Sequence, residues 1–303
     1  MKLATFTHRG RTRIGVVRED AVVDLSAHAP QLPTSMLELL EAGEPALEAA
    51  RAAADKASAL IPLSEVRLEA PVPNPRKFLG IGGNTRSHLA EVQAAGVPIR
   101  HSPYQTWFNK QVTCINGPYG DIHLPRISEQ LDYEGEFAIV IGKRCRKVPK
   151  DRALEVIAGY TVCNDISVRD WQLRAPTATL GKSFDTHGPT GPWIVTRDEI
   201  PDPHDLQLRT WVNGELRMDG RTDEFLHSCF EMIEELSSVF TLEPGDLLAT
   251  GSPAGVGALM NPPRFLVVGD VVRVEVERVG AIENRVIPEP EGYVAPARGI
   301  TRF

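Results

Sequence analysis

The sequence predicts an α+β fold, rich in short strands and poor in helices, led by a small N-terminal α+β unit. Three observations predict it. The 24 prolines and 25 glycines of the 303 residues are dispersed instead of pooled in one tract, as strands joined by many turns require. Apolar residues alternate with period two in most apolar stretches, and helical spacing is confined to a few segments. Asn213-Gly214 stands between the alternating stretches 206–212 and 215–218, the residue pair that a two-residue type I′ hairpin favours.

Taken in order, residues 1–7 and 12–24 alternate as strands around turns at Arg9-Gly10 and Arg18-Glu19-Asp20. Helices follow over 35–42 and 44–57, the second alanine-rich with Leu47, Ala50, Arg51 and Ala54 at helical spacing. A strand over 65–70 then meets Pro71-Val-Pro-Asn-Pro75, which reads as a stiff linker. The expected division is therefore a small N-terminal domain over 1–72 and a catalytic domain over 73–303. No catalytic constellation precedes the linker.

A chain of this length can bury a full core. Its net charge of −7, with basic residues scattered, excludes the footprint of a nucleic-acid or anionic-membrane binder. No apolar run approaches the roughly 20 residues of a membrane span. Residues 1–8 show no apolar leader, so the cytoplasm is the expected compartment. Cys114, Cys145, Cys163 and Cys229 lack CxxC spacing and are expected to be buried free thiols.

Beyond the linker, a short strand over 77–82 enters a glycine turn and a helix over 84–93, with Asn84 as its N-cap. His88 and Glu91 lie three apart on that helix, the spacing of a general base with its orienting carboxylate and equally of a surface ion pair. Gly80, Gly82 and Gly83 would let the segment move as a lid. A turn-rich stretch over 97–125 follows, containing Trp107-Phe-Asn-Lys110.

Residues 131–141 read as one strand. Leu131, Tyr133, Gly135, Phe137, Ile139 and Ile141 then share one face, and Asp132, Glu134, Glu136, Ala138 and Val140 the other. The second face changes from acidic to apolar along its length. Carboxylates that point into a lined cavity need a cation, and hard oxygen ligands suit Mg2+, Mn2+ or Ca2+. An edge strand with surface acids fits the same local pattern. Asp165, ending a second apolar strand over 160–165, is placed to add a third oxygen.

A basic turn over 143–147 and a helix over 150–158 lie between those strands. The glycine- and proline-rich loop 181–192 carries Lys182, either a cation near developing negative charge or a solvated loop lysine. An amphipathic helix is expected over 222–240 from Phe225, Cys229, Met232, Ile233, Leu236 and Phe240. A buried strand over 245–250 ends in the glycine turn 251–257, which could offer backbone N–H groups to an oxyanion or simply turn the chain. Strands over 265–277 and 281–287 close the sheet, and a proline-rich arm follows Pro288.

Five motifs, in order, carry a resemblance to the fumarylacetoacetate hydrolase family. They are Asn84-x-x-x-His88-x-x-Glu91, Leu131-Asp-Tyr-Glu-Gly-Glu136, Asn164-Asp-Ile-Ser-x-Arg-Asp-x-Gln172, Gly181-Lys-Ser-Phe-Asp185 and Thr250-Gly-Ser-Pro-Ala-Gly-Val-Gly257. The resemblance spans about residues 73–287, and residues 1–72 resemble the small leading domain of many bacterial members. It implies layered, rolled mixed sheets in a homodimer. Glu134, Glu136 and Asp165 would bind Mg2+ or Mn2+, with Ca2+ less favoured. His88 and Glu91 match the catalytic dyad and Lys182 the lysine near the metal, while Gln172, Thr250 and Gly251 match substrate-holding positions.

The implied activity is metal-assisted hydrolysis of a carbon–carbon bond in a 2,4-dioxo acid of the acylpyruvate, fumarylpyruvate or fumarylacetoacetate type, in aromatic or sugar-acid catabolism. His88, oriented by Glu91, would deprotonate water, with the Thr250 to Gly251 turn as oxyanion donor and Lys182 beside the released enolate. Two alternatives are an isomerase or decarboxylase of a hydroxymuconate-type dioate in the homoprotocatechuate pathway, and a catalytically silent metal-binding member. Thr85, His187, Thr190 and Ser252 depart from residues common in the family, at positions expected to shape the substrate pocket. Asp132 receives no role.

Overall fold

The computed structural model describes residues 1–96 and 104–292. Among them, twelve strands make one large mixed sheet. Its centre runs Gly188–Thr196, Ile157–Asn164, Gly135–Ile141, Leu247–Ala249, Phe78–Gly82 and Thr106–Lys110. A second sheet of five strands runs Glu215–Arg221, Gln207–Val212, Val271–Val276, Gly280–Pro288 and Ile122–Leu124. This layered α+β arrangement with few helices is the one the sequence predicts.

The central strand explains how the layers meet. Phe137, Ile139 and Ile141 face the five-stranded sheet, in one core with Val272, Val274 and Ile282. Ala138 and Val140 face the opposite way, toward a core shared with Leu39, Leu40, Ala46 and Ala50 of the N-terminal helices Met36–Glu41 and Glu44–Lys56. A strand covered on both faces is apolar on both faces, and all seven residues of 135–141 are buried. The two sheets approach so closely at Gly135 that a Cβ there would fall 2.0 Å from Thr210 Oγ1.

The leading strand Lys2–His8 pairs with Gly188–Thr196, Lys2 opposite Val195 and Leu3 opposite Ile194. The first 72 residues are thus hydrogen-bonded into the large sheet, and their helices pack on the face beneath the central strand.

Several element boundaries differ from expectation. The strand over 131–141 is two: Leu131–Asp132 pairs with Ser167–Val168 in a small ladder of its own, and Gly135–Ile141 joins the large sheet. The helix over 222–240 is a short 3-10 turn, Thr222–Glu224, followed by a helix, Cys229–Val239, that starts at a Ser228–Glu231 capping box. The helix over 150–158 is a 3-10 segment, Lys150–Val156. The hairpin holds, with φ of +52° at Asn213 and +79° at Gly214, both positive as a type I′ turn demands.

All four cysteines are free; Cys114, Cys163 and Cys229 are buried and Cys145 is partly so. No helix among the described residues is long and apolar enough to cross a membrane. The turns read over 97–103 and the arm beyond Gly292 lie outside the described residues.

Candidate active site

Two adjacent strand ends deliver the carboxylates, and a third supplies a backbone donor. Glu136 is the second residue of the central strand and lies opposite Cys163, with Gly135 opposite Asn164. Asp165 follows directly, and its N–H donates to the Glu134 carbonyl at 2.8 Å. Glu134's own N–H donates to Asn164 Oδ1 at 3.1 Å. On the other flank Ala138 pairs with Ala249, which brings Gly251 N–H to Glu136 Oε2 at 2.7 Å. Gly251 has φ +96°, a conformation open chiefly to glycine. Glu134, Glu136 and Asp165, all buried, each offer one oxygen, and the three lie within 4.8 Å of one another.

Two buried lysines and the partly buried Arg169 surround this cluster. Lys182 Nζ donates to Glu134 Oε2 at 2.8 Å and to Asp165 Oδ2 at 2.6 Å. Arg169 Nη1 donates to Glu134 Oε1 at 2.5 Å, and Nε to Asp132 Oδ2 at 2.8 Å. Lys110 Nζ donates to Asp165 Oδ1 at 2.6 Å. Lys182, read from sequence as a loop lysine, is 2% exposed.

The electrostatics are uneven. Burial alone would raise the Glu134 carboxyl, but Lys182 and then Arg169 outweigh it and hold the group far below the usual carboxylate range. Glu136 goes the other way: burial, then the charges of Asp165 and Glu134, push it well above that range. Four carboxylates, with Asp132, face three cations. The fourth carboxylate has no cation of its own, in keeping with the raised Glu136, and an all-oxygen donor set of this kind fits a hard dication.

The dyad rides on the helix Arg86–Ala94, whose N-cap is Thr85 and not Asn84. Thr85 Oγ1 accepts from His88 N–H at 3.3 Å and donates to the Ser252 carbonyl at 2.7 Å. Asn84 instead bridges chain segments: its amide donates to the carbonyls of Thr250 at 2.8 Å and His227 at 3.1 Å, and accepts from His227 N–H at 2.9 Å. Glu91 Oε1 accepts from Gly255 N–H at 2.9 Å, and Oε2 lies 3.2 Å from His88 Nδ1. A carboxylate only accepts, so Nδ1 carries a proton, and in the neutral ring Nε2 is the nitrogen with the lone pair. The helix thus docks its dyad against the 250–255 turn.

Other sequence candidates acquire defined contacts. Gln172 Oε1 accepts from Arg169 Nη1 at 3.0 Å, leaving its NH2 to donate. The Thr250 hydroxyl donates to the Phe137 carbonyl at 2.7 Å. That hydroxyl and the Gly251 amide, the expected oxyanion donors, are both already engaged. Asp132 accepts from the N–H groups of Tyr133, Gly257 and Ala258 and from Arg169; it joins the 257–258 turn to the arginine.

Of the departures from the family pattern, Thr85 caps the helix, and His187 and Thr190 are buried. His187 Nε2 donates to the His123 carbonyl at 2.8 Å, and burial holds the ring's pKa down at about 3. Sequence reasoning missed Arg169 and Lys110. Arg169 lay inside a quoted motif without a role, and nothing local signalled that Lys110 ends the strand Thr106–Lys110 with its ammonium turned inward.

Comparison with known proteins gives the same reading of the chain as a whole. Residues 77–287 match the family model described as fumarylacetoacetate (FAA) hydrolase, C-terminal. The chain belongs to the fumarylacetoacetate hydrolase family. A relative within it, the mitochondrial oxaloacetate tautomerase of Xenopus laevis, is 41% identical over 279 residues, covering 91% of this chain and 86% of its own. Among solved structures, maleylpyruvate hydrolase from Sphingobium sp. SYK-6, in complex with manganese(II) and pyruvate, aligns with TM-score 0.79 at 32% identity, covering 96% of this chain and 100% of that one. The 5-carboxymethyl-2-hydroxymuconate delta-isomerase of Mycobacterium smegmatis aligns with TM-score 0.75 at 31% identity, covering 95% and 100%. Family members thus include hydrolases, isomerases and tautomerases, and this chain carries the enzyme fold they share.

Proposed function

We propose that this family member is a divalent-metal-dependent tautomerase of a 2-oxo dicarboxylate of the oxaloacetate kind, working through proton transfer at the carbon beside the oxo group. Glu134, Glu136 and Asp165 would hold Mg2+ or Mn2+, which when bound supplies positive charge to the substrate's oxo oxygen as that oxygen becomes anionic. His88 Nε2, with its lone pair free, takes the proton from the carbon flanked by two carbonyl carbons. The C–H electron pair becomes the new carbon–carbon double bond, and the oxo oxygen takes the charge. Glu91 holds the imidazole by Nδ1 and stabilises its protonated form. Lys182 adds a second positive charge beside the carboxylates, and the Gln172 amide, its oxygen held by Arg169, keeps its NH2 to donate to a substrate carboxylate. In the ketonising direction the enol hydroxyl gives its proton to water and its O–H pair becomes the C=O bond, while the carbon–carbon double-bond pair takes a proton from protonated His88 Nε2, which regains one from solvent.

The observation that carries this reading is the engagement of the Gly251 amide by Glu136. Carbon–carbon hydrolysis needs an oxyanion donor and a placed water in addition to the base and the cation. Proton transfer on carbon needs only the base and the cation, and the chain offers residues suited to both parts. The 41% identity to an oxaloacetate tautomerase supports the same choice.

Hydrolysis of acylpyruvates is the second reading, favoured by the likeness to maleylpyruvate hydrolase and by the same dyad acting on water. The cytoplasm is the compartment proposed for this chain, whereas the Xenopus relative is named as mitochondrial. The test is a panel with Mn2+-loaded protein. Loss of enol absorbance from enol-oxaloacetate, above the rate with Mn2+ alone, is expected, with no fragments from acylpyruvates. Release of pyruvate and a second acid from an acylpyruvate, with enol-oxaloacetate untouched, would overturn it in favour of hydrolysis.

A further inference from the structure

Each carboxylate of the cluster has one oxygen taken by a donor other than Lys182. Asp165 gives Oδ1 to Lys110 Nζ at 2.6 Å, Glu136 gives Oε2 to Gly251 N–H at 2.7 Å, and Glu134 gives Oε1 to Arg169 Nη1 at 2.5 Å. The second oxygens of the three are Asp165 Oδ2, Glu136 Oε1 and Glu134 Oε2. Lys182 reaches the first and the last, at 2.6 and 2.8 Å, so those two point to a common region where positive charge is already favoured. The cluster is thus built to present three single oxygens and not three chelating carboxylates.

Lys110 is the most deeply built of the three caps. It ends the strand Thr106–Lys110, its side chain is fully buried, and its ammonium also donates to the carbonyls of Lys182 at 2.5 Å and Ile166 at 3.4 Å. Its donors are therefore saturated within the protein, on the two segments that carry Asp165 and Lys182. The ammonium cannot meet substrate. Its whole effect is exerted through Asp165 and through the backbone beneath Lys182.

We propose that Lys110 is a positioning residue that confines Asp165 to one-oxygen ligation and so selects small, six-coordinate dications over Ca2+. Mg2+ demands near-octahedral geometry and is satisfied by single oxygens plus water and substrate, and Mn2+ shares its preference for such oxygen sites. Ca2+ takes six to eight ligands and gains from bidentate carboxylates. A carboxylate whose second oxygen is bound to a buried ammonium cannot turn to chelate. Removing the ammonium frees Asp165 Oδ1 to do so.

The inference rests on the proposed dication site, and one experiment separates the two. Binding of Mg2+, Mn2+ and Ca2+ to the wild type and to Lys110→Met is measured directly, by calorimetry and by displacement of Mn2+ followed by electron paramagnetic resonance, without substrate. The wild type is expected to prefer Mn2+ and Mg2+ to Ca2+. Lys110→Met is expected to lose about 10- to 100-fold in Mn2+ and Mg2+ affinity, the range typical of outer-shell changes, while Ca2+ affinity falls less, so that the preference narrows or inverts. A lesion that merely loosens the fold would weaken all three ions alike, and that outcome overturns the role given to Lys110. If Lys110→Met does not fold, the wild-type ratio still decides: Ca2+ bound as tightly as Mn2+ overturns the selection. Failure of the wild type to bind any of the ions would instead remove the dication site itself.

Discussion

Glu136 rides a strand whose seven residues are all buried and which is hydrogen-bonded to neighbours on both sides, whereas His88 rides a nine-residue helix that buries none of them. The carboxylates are held by sheet register and by salt bridges to buried cations. The dyad is held by a handful of side-chain bonds to the 250–255 turn, and its two side chains are 18% and 20% exposed. The contrast matches the two tasks. Oxygens that gather around a cation must keep their mutual distances, and the dense core does that. A base that meets substrate has to be reachable, and a lightly docked helix leaves it so.

The separation can be attacked from either side, and the largest effect is expected at the strand. Glu136→Gln removes a ligand and should reduce Mn2+ affinity by more than the about 100-fold upper range of outer-shell changes, with turnover falling to background; calorimetry and the enol-oxaloacetate assay read the two losses. His88→Gln should leave Mn2+ binding unchanged and lower turnover by about 100- to 10,000-fold, the usual contribution of one general base. Equal loss of metal in both variants would erase the distinction between the two regions.

The two histidines sharpen it further. His88 is partly exposed, while His187 is fully buried with its pKa held down at about 3 by burial. Below the ordinary histidine value near 6.5 the unfolded chain binds a proton that the folded chain refuses, so the folded state loses stability as the pH falls from there toward 3. At pH 5 this loss is about 2 kcal/mol, at about 1.4 kcal/mol per unit. His187→Phe should fold and should show a drop in stability between pH 7 and 5 smaller by that amount, measured by urea unfolding at both values. An unchanged drop would mean that His187 already binds a proton in the folded protein.

The smallest effect is expected at the cap. Thr85→Ala removes the acceptor for His88 N–H and the donor to Ser252. The expected cost is about 1 kcal/mol of stability, as for other N-caps, with turnover reduced and Mn2+ affinity intact. Thermal unfolding and kinetics at saturating Mn2+ would show it; a large fall in Mn2+ affinity would mean that the helix supports the carboxylates after all.

The same contrast explains what could be read from the sequence. Period two along 135–141 placed Glu136 on the face of Ala138 and Val140, and the structure keeps that face. It could not show the bend at Tyr133-Glu134, which sends Asp132 to the 257–258 turn and Arg169 and leaves Glu134 beside Asp165. Bends of that kind are fixed by partners far along the chain. Lys110 and Asp165 are 55 residues apart, and Glu136 and Gly251 are 115 apart. The Asn213-Gly214 hairpin was legible because turn chemistry is local. The choice of Thr85 over Asn84 as N-cap was not, because Asn84 is claimed by Thr250 and His227.

The central claim is that the cation site and the proton relay lie on separate elements and meet only at the substrate. Ketonisation of enol-oxaloacetate by wild-type and His88→Gln protein, both shown to be saturated with Mn2+, tests it most directly. The account predicts rapid loss of the enol with the wild type and at least about a 100-fold slower loss with the variant, at equal Mn2+ occupancy. Equal rates would contradict it.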